Sequence, residues 1–244
     1  MQVFRTAGEL RAHLHQLRAT MLPAASVGFV PTMGALHDGH MSLVRAAREQ
    51  HDTVVLSIFV NPKQFNDGQD FSSYPRDEAQ DLALARESGV DVVFMPDSDE
   101  MYPAGFATSV SIDAHLTNVL EGAVRGQSHF SGMATVVTKL LVTVQPEAAY
   151  FGAKDFQQVV VVRRFVTDLG LPVRIVSCPT AREPDGLVIS SRKVRFSAEQ
   201  RRQAAAIPAP LTPIVTAVEA GETDTSVLFE AGAAVLHQQG LDIE

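Results

Sequence analysis

The sequence predicts an α/β fold, with a Rossmann-like parallel sheet flanked by helices and a smaller α+β C-terminal domain. Short apolar runs alternate with amphipathic stretches through roughly the first 180 residues, as in parallel sheets covered by helices. The apolar runs end at proline residues. The composition then changes, because a polar, basic segment leads into Ala- and Pro-rich sequence. We therefore place one domain at residues 1–178 and a second at residues 179–244.

The strands and helices of the first domain follow from hydrophobic periodicity. Strands are predicted at the apolar runs 27–30, 53–60 and 90–95, which stop at Pro31, Asn61-Pro62 and Pro96. Helices are predicted at 9–19, 39–50 and 77–88. Ligands of such sheets bind beyond the carboxyl ends of the strands, so the polar residues after Pro31 and Pro62 are candidate site residues.

The segment 155–169 gives conflicting signals. The run Val159–Val162 alone favours a strand. Asp155 can cap a helix, Gln158 follows three residues later, and Gly170 begins a stop signal. We predict a helix over residues 155–169.

Composition argues against several functional classes. Lys and Arg total 20 and Asp and Glu total 28, so the net charge of −8 argues against nucleic-acid or anionic-membrane partners. No apolar run has the length of a membrane span and the N-terminus lacks a signal-peptide core, so a soluble, cytoplasmic protein is expected. The single Cys178 is expected to be a buried hydrophobe. Five histidines without ligand spacing are expected on the surface: His13, His15, His51, His115 and His237.

The strongest local signal is the segment PTMGALHDGH at residues 31–40, between a predicted strand and a predicted helix. His37 and His40 flank Gly39 where that helix begins. Free N–H groups and the positive end of the helix dipole suit a phosphate there, and glycine permits its close approach. The alternative is a turn with two incidental histidines. The combination of strand, turn, paired histidines and helix argues against that alternative.

This segment resembles the His-x-Gly-His signature of the nucleotidylyltransferase superfamily. With six further strings, in family order, the chain is similar to the pantothenate synthetase family over roughly residues 1–205. The strings are FVNPKQF (59–65), YPR (74–76), LEG (120–122), HF (129–130), GAKDFQQ (152–158) and DGLVISSR (185–192).

The resemblance implies a two-step reaction. The pantoate carboxylate attacks the α-phosphate of ATP to give pantoyl adenylate and pyrophosphate, and the β-alanine amine then displaces AMP to give pantothenate. Such transfer depends on positioning and charge neutralisation more than on covalent help. The resemblance also implies Mg²⁺ with ATP, and a homodimer formed through the N-terminal domain.

The resemblance assigns roles to individual residues. The catalytic residues are His37, His40, Lys154 and Arg192, with His40 at the position of the family's proton donor. The ATP-binding positions are Met33, Gly34, His37, Gly39, His40, Gly152, Lys154, Asp155, Ala181, Ile189, Ser190, Ser191 and Arg192.

Neutral side chains are expected to hold the acid. Gln64, Gln158, Met33 and Asn61 correspond to the pantoate pocket, and Gln64 is also expected to meet β-alanine. Amides can orient a nucleophilic carboxylate without quenching its charge. The alternative for Gln158 is a capping partner of Asp155. Asp81 corresponds to the family's magnesium-side aspartate, and the alternative is a solvated helix acid.

The sequence also departs from the family pattern. Ala153 and Lys193 replace the usual Glu and Asn, Arg195 stands at a Tyr position, and the segment 125–129 is one residue longer. The chain also ends before the usual length, so a shortened C-terminal domain, which in the family closes over ATP, is expected. Two alternatives stay open: a related adenylyltransferase acting on another small acid or on a nucleotide, and a catalytically weak nucleotide-binding paralogue.

Overall fold

The computed structural model describes residues 1–20 and 25–241, with the side chains of Val194 and Arg195 excluded. The chain divides into two compact units, Met1–Thr180 and Ala181–Glu244. From the sequence alone, the domain boundary is predicted after residue 178. Closure of the second domain over ATP stays a prediction.

The first unit alternates strands and helices. Its strands are β1 (Gln2–Phe4), β2 (Val27–Thr32), β3 (Thr53–Ile58), β4 (Val92–Phe94), β5 (Ala148–Gly152) and β6 (Arg174–Cys178). Its helices are α1 (Ala7–Thr20), α2 (Asp38–Arg48), α3 (Gly68–Ser72), α4 (Glu78–Glu87), α5 (Ser98–Met101), α6 (Ala114–Thr117), α7 (Glu121–Val144) and α8 (Phe156–Asp168). Short 3-10 turns cover Pro62–Gln64 and Ala153–Asp155.

All strand pairings of the six-stranded sheet are parallel, in the order β1-β4-β3-β2-β5-β6. The predicted parallel sheet is therefore confirmed. From β2 the chain proceeds outward through β3 to β4 and later returns to the opposite side of β2 as β5. This reversal creates a switch point between the carboxyl ends of β2 and β5, where ligands of open α/β sheets bind.

Two hydrophobic cores lie on opposite faces of the sheet. Val27 and Phe29 belong to one core, with residues of α1, α7 and α8. Val30 belongs to the other, with residues of α2 and α4. Because both faces are covered, all six residues of β3 are buried, which explains the continuous apolar run in the sequence. Cys178 is 6% exposed, which confirms its predicted burial.

Most predicted elements of the first unit are present, and two expectations are corrected. The segment 155–169 is helical as predicted, in α8. Pro31 does not end β2, which continues to Thr32. The pairing of β2 with β5 ends at Phe29. The missing N–H of Pro31 therefore removes none of the hydrogen bonds between these two strands. The surface prediction for His51 is wrong, because its ring is 8% exposed and meets the edge of Tyr150 at 5.8 Å between centroids.

The described part of the second unit is mainly helical. It contains a 3-10 turn at Ser191–Arg195 and the helices α9 (Ala198–Ala204), α10 (Leu211–Glu219) and α11 (Thr225–Gln238). One antiparallel bridge joins Arg182 and Val188.

Across residues 1–20 and 25–241, no helix combines the length and the apolar character needed to cross a membrane.

Candidate active site

The loop between β2 and α2 has a demanding backbone conformation. Gly34 has φ +79° and Ala35 has φ +49°, in the left-handed region that residues with a Cβ rarely adopt. Asp81 of α4 holds this loop: Oδ1 accepts the N–H of Leu36 at 2.7 Å and Oδ2 accepts the N–H of Ala35 at 3.0 Å. Burial raises the pKa of Asp81, and the two N–H groups partly oppose that shift. Because Asp81 is 4% exposed, it is not a solvated helix acid.

Asp81→Asn is expected to weaken this loop. The amide keeps the shape of the carboxylate, but it turns an NH₂ group toward a backbone N–H. The free energy of unfolding should fall by about 1–3 kcal/mol, the cost of unsatisfied buried groups. Urea denaturation of the variant and the wild type measures this change in the free energy of unfolding. Asp168→Asn, which removes an exposed ion pair with Arg164, should change it by less than about 1 kcal/mol. Equal stability of the two variants would contradict the role given to Asp81.

The two signature histidines stack on each other where α2 begins. His37 occupies the N-cap position with an extended backbone, and it makes no side-chain cap bond. Its ring lies 4.0 Å from that of His40, centroid to centroid, at an interplanar angle of 22°. Both imidazoles therefore lie beside the first turn of the helix, where uncapped backbone N–H groups attract anions.

Electrostatics keep His40 neutral. Burial is the largest cause that lowers the pKa of His40, and together with the charges of His37 and Lys154 it brings that pKa to about 3. The buried Nδ1 atom of His40 has no hydrogen-bond partner among the residues that the structure describes. A neutral imidazole still carries one N–H, so His40 can donate a hydrogen bond to an oxyanion. An anion bound beside it would also favour the protonated form.

Lys154 lies on the other side of the switch point. It follows β5 on the turn Ala153–Asp155, and its exposed Nζ is 2.9 Å from Asp155 Oδ1. Its positive charge is one of the causes that lower the pKa of His40. The Ala153 departure leaves Lys154 at the carboxyl end of the strand. The structure thus brings together His37, His40 and Lys154, which are far apart in sequence.

A pocket of about 150 Å³ lies beside His40. Its polar lining includes four of the predicted acid-binding and nucleotide-binding residues: Asn61, Gln64, Asp155 and Gln158. Met33 also lines it, and residues of α7 supply an apolar wall. The Asp155 side chain makes no cap bond at the start of α8. The alternative in which Gln158 is a capping partner of Asp155 is therefore not observed. The contacts of these residues with a ligand stay predictions.

Comparison with known proteins now places the chain. A family model described as pantoate-beta-alanine ligase matches residues 2–243. The chain belongs to the pantoate-beta-alanine ligase family. A pantothenate synthetase of Gluconobacter oxydans is 51% identical over 241 residues, which cover 99% of this chain and 84% of the relative. One of Thermus thermophilus is 53% identical over 204 residues, covering 84% and 71%.

Solved structures of the family have the same fold. The crystal structure of pantothenate synthetase from Thermus thermophilus superposes with a TM-score of 0.90 at 48% identity, covering 98% of this chain and 83% of that one. The pantoate-beta-alanine ligase from Francisella tularensis, complexed with beta-gamma ATP and beta-alanine, gives a TM-score of 0.85 at 35% identity, covering 100% and 88%. The nucleotidylyltransferase-type fold predicted from the sequence is therefore confirmed.

The turn that carries Gln64 packs directly on helix α7. A Cβ added to Gly132 would lie 2.1 Å from the carbonyl oxygen of Lys63 and 2.8 Å from the backbone nitrogen of Gln64. Backbone atoms cannot give way as a flexible side chain can. Glycine at position 132 is therefore required for this close approach.

Gly132→Ala is expected to displace the Gln64 turn. The free energy of unfolding should fall by about 1–3 kcal/mol, as for other overpacked sites, and acid binding should weaken with it. Chemical denaturation and steady-state kinetics measure the two effects. Gly8→Ala in α1 is the matched control, because its added Cβ would meet no other described residue within 4 Å beyond its chain neighbours and the backbone of its own helix. A Gly132→Ala enzyme as stable as the Gly8→Ala enzyme would contradict this packing argument.

Five of the residues that the family pattern assigns to ATP lie in the second unit. The Ile189 N–H donates to the carbonyl of Ala181 at 3.1 Å, and Ser190 Oγ accepts the N–H of Arg192 at 3.3 Å. Ser191 begins the adjoining 3-10 turn. Their contact with ATP stays a prediction.

Two of the departures from the family pattern also lie in the second unit. The added charge of Lys193 is neutralised within this unit by an ion pair with Glu183. The side chain of Arg195 lies outside the described residues.

The residues that the structure describes form no protein cage for a metal ion. Among residues 1–20 and 25–241, no group of three or more His, Cys, Asp or Glu side chains could hold one. Both oxygens of Asp81 already accept backbone hydrogen bonds. This donor set fits Mg²⁺ only as an ion held mainly by phosphate oxygens and water.

Several supporting residues had no role in the sequence analysis. Gln157 is buried and holds the start of α7 to the segment before it, since its Oε1 accepts the Gly122 N–H and its Nε2 donates to the carbonyls of Leu116 and Val119. No feature of the sequence distinguishes the structural role of Gln157 from that of the neighbouring Gln158. Tyr102 hydrogen-bonds to Asn61 from 41 residues away, and no local pattern predicts such a contact.

Proposed function

We propose that the protein is an ATP-dependent ligase that condenses pantoate with β-alanine to form pantothenate, through a pantoyl-adenylate intermediate. The proposal rests on how four kinds of group are arranged at the switch point of the sheet: a helix N-terminus, two histidines, a lysine and two glutamine amides. Two stacked histidines at a helix N-terminus stand beside Lys154 and beside a small pocket that contains two glutamine amides. Membership in the pantoate-beta-alanine ligase family supports the choice of substrates.

In the first step, the pantoate carboxylate attacks the α-phosphorus of ATP and pyrophosphate leaves. Gln64 and Gln158 orient the acid with neutral amides, so the nucleophile keeps its charge. His37 and His40 donate N–H groups to phosphate oxygens, and Lys154 supplies a fixed positive charge. We expect these groups to act by holding the reactants in line and stabilising developing charge.

In the second step, the β-alanine amine attacks the acyl carbon of the adenylate. The amide bond forms as the acyl–oxygen bond to AMP breaks, and the attacking nitrogen loses a proton. Gln64 also meets β-alanine in this proposal. Arg192, with Ser190 and Ser191, is proposed to bind phosphate oxygens, for which a forked guanidinium is suited. When bound with ATP, Mg²⁺ would reduce the charge of the phosphates. Asp81 is proposed to lie on the magnesium side of the site, while phosphate oxygens and water would hold most of the ion.

One assay separates this function from its alternatives. The protein is incubated with ATP, Mg²⁺ and pantoate, and β-alanine is then added. Pyrophosphate that depends on pantoate, followed by pantothenate and AMP that depend on β-alanine, is the expected result. Pyrophosphate release with other acids alone would instead identify a related adenylyltransferase. Nucleotide binding without turnover would identify a catalytically weak paralogue.

We further propose a cytoplasmic homodimer formed through the first domain. This assembly follows the family pattern. Sedimentation of the purified protein measures the oligomeric state, and cell fractionation measures the location.

A further inference from the structure

The side-chain amide of Asn61 has a fixed orientation. Its Oδ1 accepts the backbone N–H of Lys63 at 3.3 Å, and its Nδ2 donates to the carbonyl of Gly132 at 3.1 Å. A backbone N–H only donates and a carbonyl oxygen only accepts, so the two ends of the amide cannot be exchanged. Asn61 is 1% exposed, so bulk water does not compete for these bonds.

This orientation determines the orientation of Gln64. The Asn61 Nδ2 group also donates to Gln64 Oε1 at 3.1 Å. The oxygen of Gln64 therefore faces Asn61, and its NH₂ group faces the other way, where Nε2 lies 3.1 Å from Met33 Sδ. Both Met33 and Gln64 line the pocket. A thioether is a weak acceptor, so an anionic or hydroxyl oxygen in the pocket is the better partner for this NH₂ group.

Tyr102 completes the chain of hydrogen bonds. Its hydroxyl donates to Asn61 Oδ1 at 2.7 Å, a shorter bond than the one from the Lys63 N–H. The ring is held independently of the hydroxyl, because Phe106 lies 5.1 Å away between centroids and Lys63 Nζ lies 5.0 Å from the ring centroid. Burial raises the pKa of Tyr102, so the phenol stays protonated and remains a donor.

The geometry points to Tyr102 as a positioning residue that acts through Asn61 to present Gln64 as a hydrogen-bond donor to the oxygen atoms of the acid substrate. The chain runs in one direction, from the Tyr102 O–H to the Asn61 amide and on to the Gln64 NH₂ group. Such a pocket selects an acid whose carboxylate or hydroxyl oxygens accept hydrogen bonds. The inference rests on the proposed function, because it specifies how the same pocket recognises its acid.

Tyr102→Phe tests this role directly. The variant keeps the ring and its contacts with Phe106 and Lys63, and it removes only the hydroxyl. We expect the KM for pantoate to rise about three- to tenfold, the scale of one lost hydrogen bond to a buried acceptor. The KM for ATP should stay unchanged. In a Gln64→Ala background, adding Tyr102→Phe should change the KM for pantoate less than about twofold, because the amide it orients is gone.

Gln64→Glu is the second test, and it does not depend on how Tyr102→Phe folds. Glutamate keeps the shape but cannot donate while it is ionised. Pantoate binding, measured by calorimetry, should weaken at least about tenfold. Pantoate binding equal to the wild type, or independent effects of Tyr102→Phe and Gln64→Ala, would overturn the inference. A wild-type enzyme without pantoate-dependent pyrophosphate release would count against the proposed function itself.

Discussion

His40→Ala is expected to lower the rate of pantoate adenylation at least about a hundredfold, the usual scale for losing a donor that stabilises transition-state charge. The ring lies in the first turn of α2 and stacks on His37. Because burial and neighbouring positive charge hold its pKa near 3, the imidazole is neutral at pH 7 and offers its N–H without prior deprotonation. Alanine removes that donor and exposes the stacked partner.

Pantoate-dependent pyrophosphate release under saturating ATP measures the effect of His40→Ala. His40→Gln is the informative companion, because its amide can place an N–H near the position of the imidazole Nε2. We expect it to keep more activity than alanine. His13→Ala, in α1 and outside the pocket lining, is the control and should react at the wild-type rate. A His40→Ala enzyme with near-normal rates would show that the histidine pair does not serve the transferred phosphate.

The strands β2, β3 and β4 were predictable from their apolar runs, because residues on both of their faces are buried, whereas β5 was not predicted although it is buried as well. The continuous apolar run of β3 and the amphipathic spacing of α2 are the patterns from which a strand and a helix are predicted. The long helix α7 was not predicted. Gly126 interrupts it with φ +76°, and this break obscures its periodicity. The end of β2 was mispredicted at Pro31. Whether a missing N–H ends a strand depends on which neighbouring strand that N–H would face, and the sequence does not show this.

The site was predictable where chemistry is local and unpredictable where it depends on distant contacts. His37 and His40 are three residues apart, so their common position at a helix start follows from spacing. The contact of Asp81 with the loop spans more than 40 residues, as does that of Tyr102 with Asn61. Family resemblance led to the prediction that Asp81 lies on the magnesium side of the site, but it did not predict the two hydrogen bonds of Asp81 to the backbone. These supporting contacts depend on the complete tertiary fold.

Lys154→Ala is expected to lower pantoate adenylation by at least about a hundredfold as well. The ammonium is a fixed positive charge at the end of β5, where it acts on His40 across the switch point. Its charge should matter most as negative charge builds up on the phosphates. Both kcat and kcat/KM should therefore fall, whereas a loss of ground-state binding alone would raise KM and leave kcat unchanged.

Lys154→Met separates charge from shape. Methionine retains most of the side-chain length without the charge, so we expect its rate to fall nearly as far as that of the alanine variant. Arg163→Ala removes one positive charge from the exposed surface of α8 and should leave the rate unchanged, which controls for net charge.

The pKa of His40 provides an independent readout of Lys154. A nearby positive charge disfavours the imidazolium, so removing Lys154 should raise the pKa of His40 from about 3 toward its ordinary value. Burial remains the largest cause of the depressed pKa and opposes a full return. NMR titration of the ligand-free variants measures this shift. An unchanged pKa together with normal pyrophosphate release would mean that the Lys154 ammonium does not act at the histidine pair, and the proposed phosphate site would lose its fixed charge.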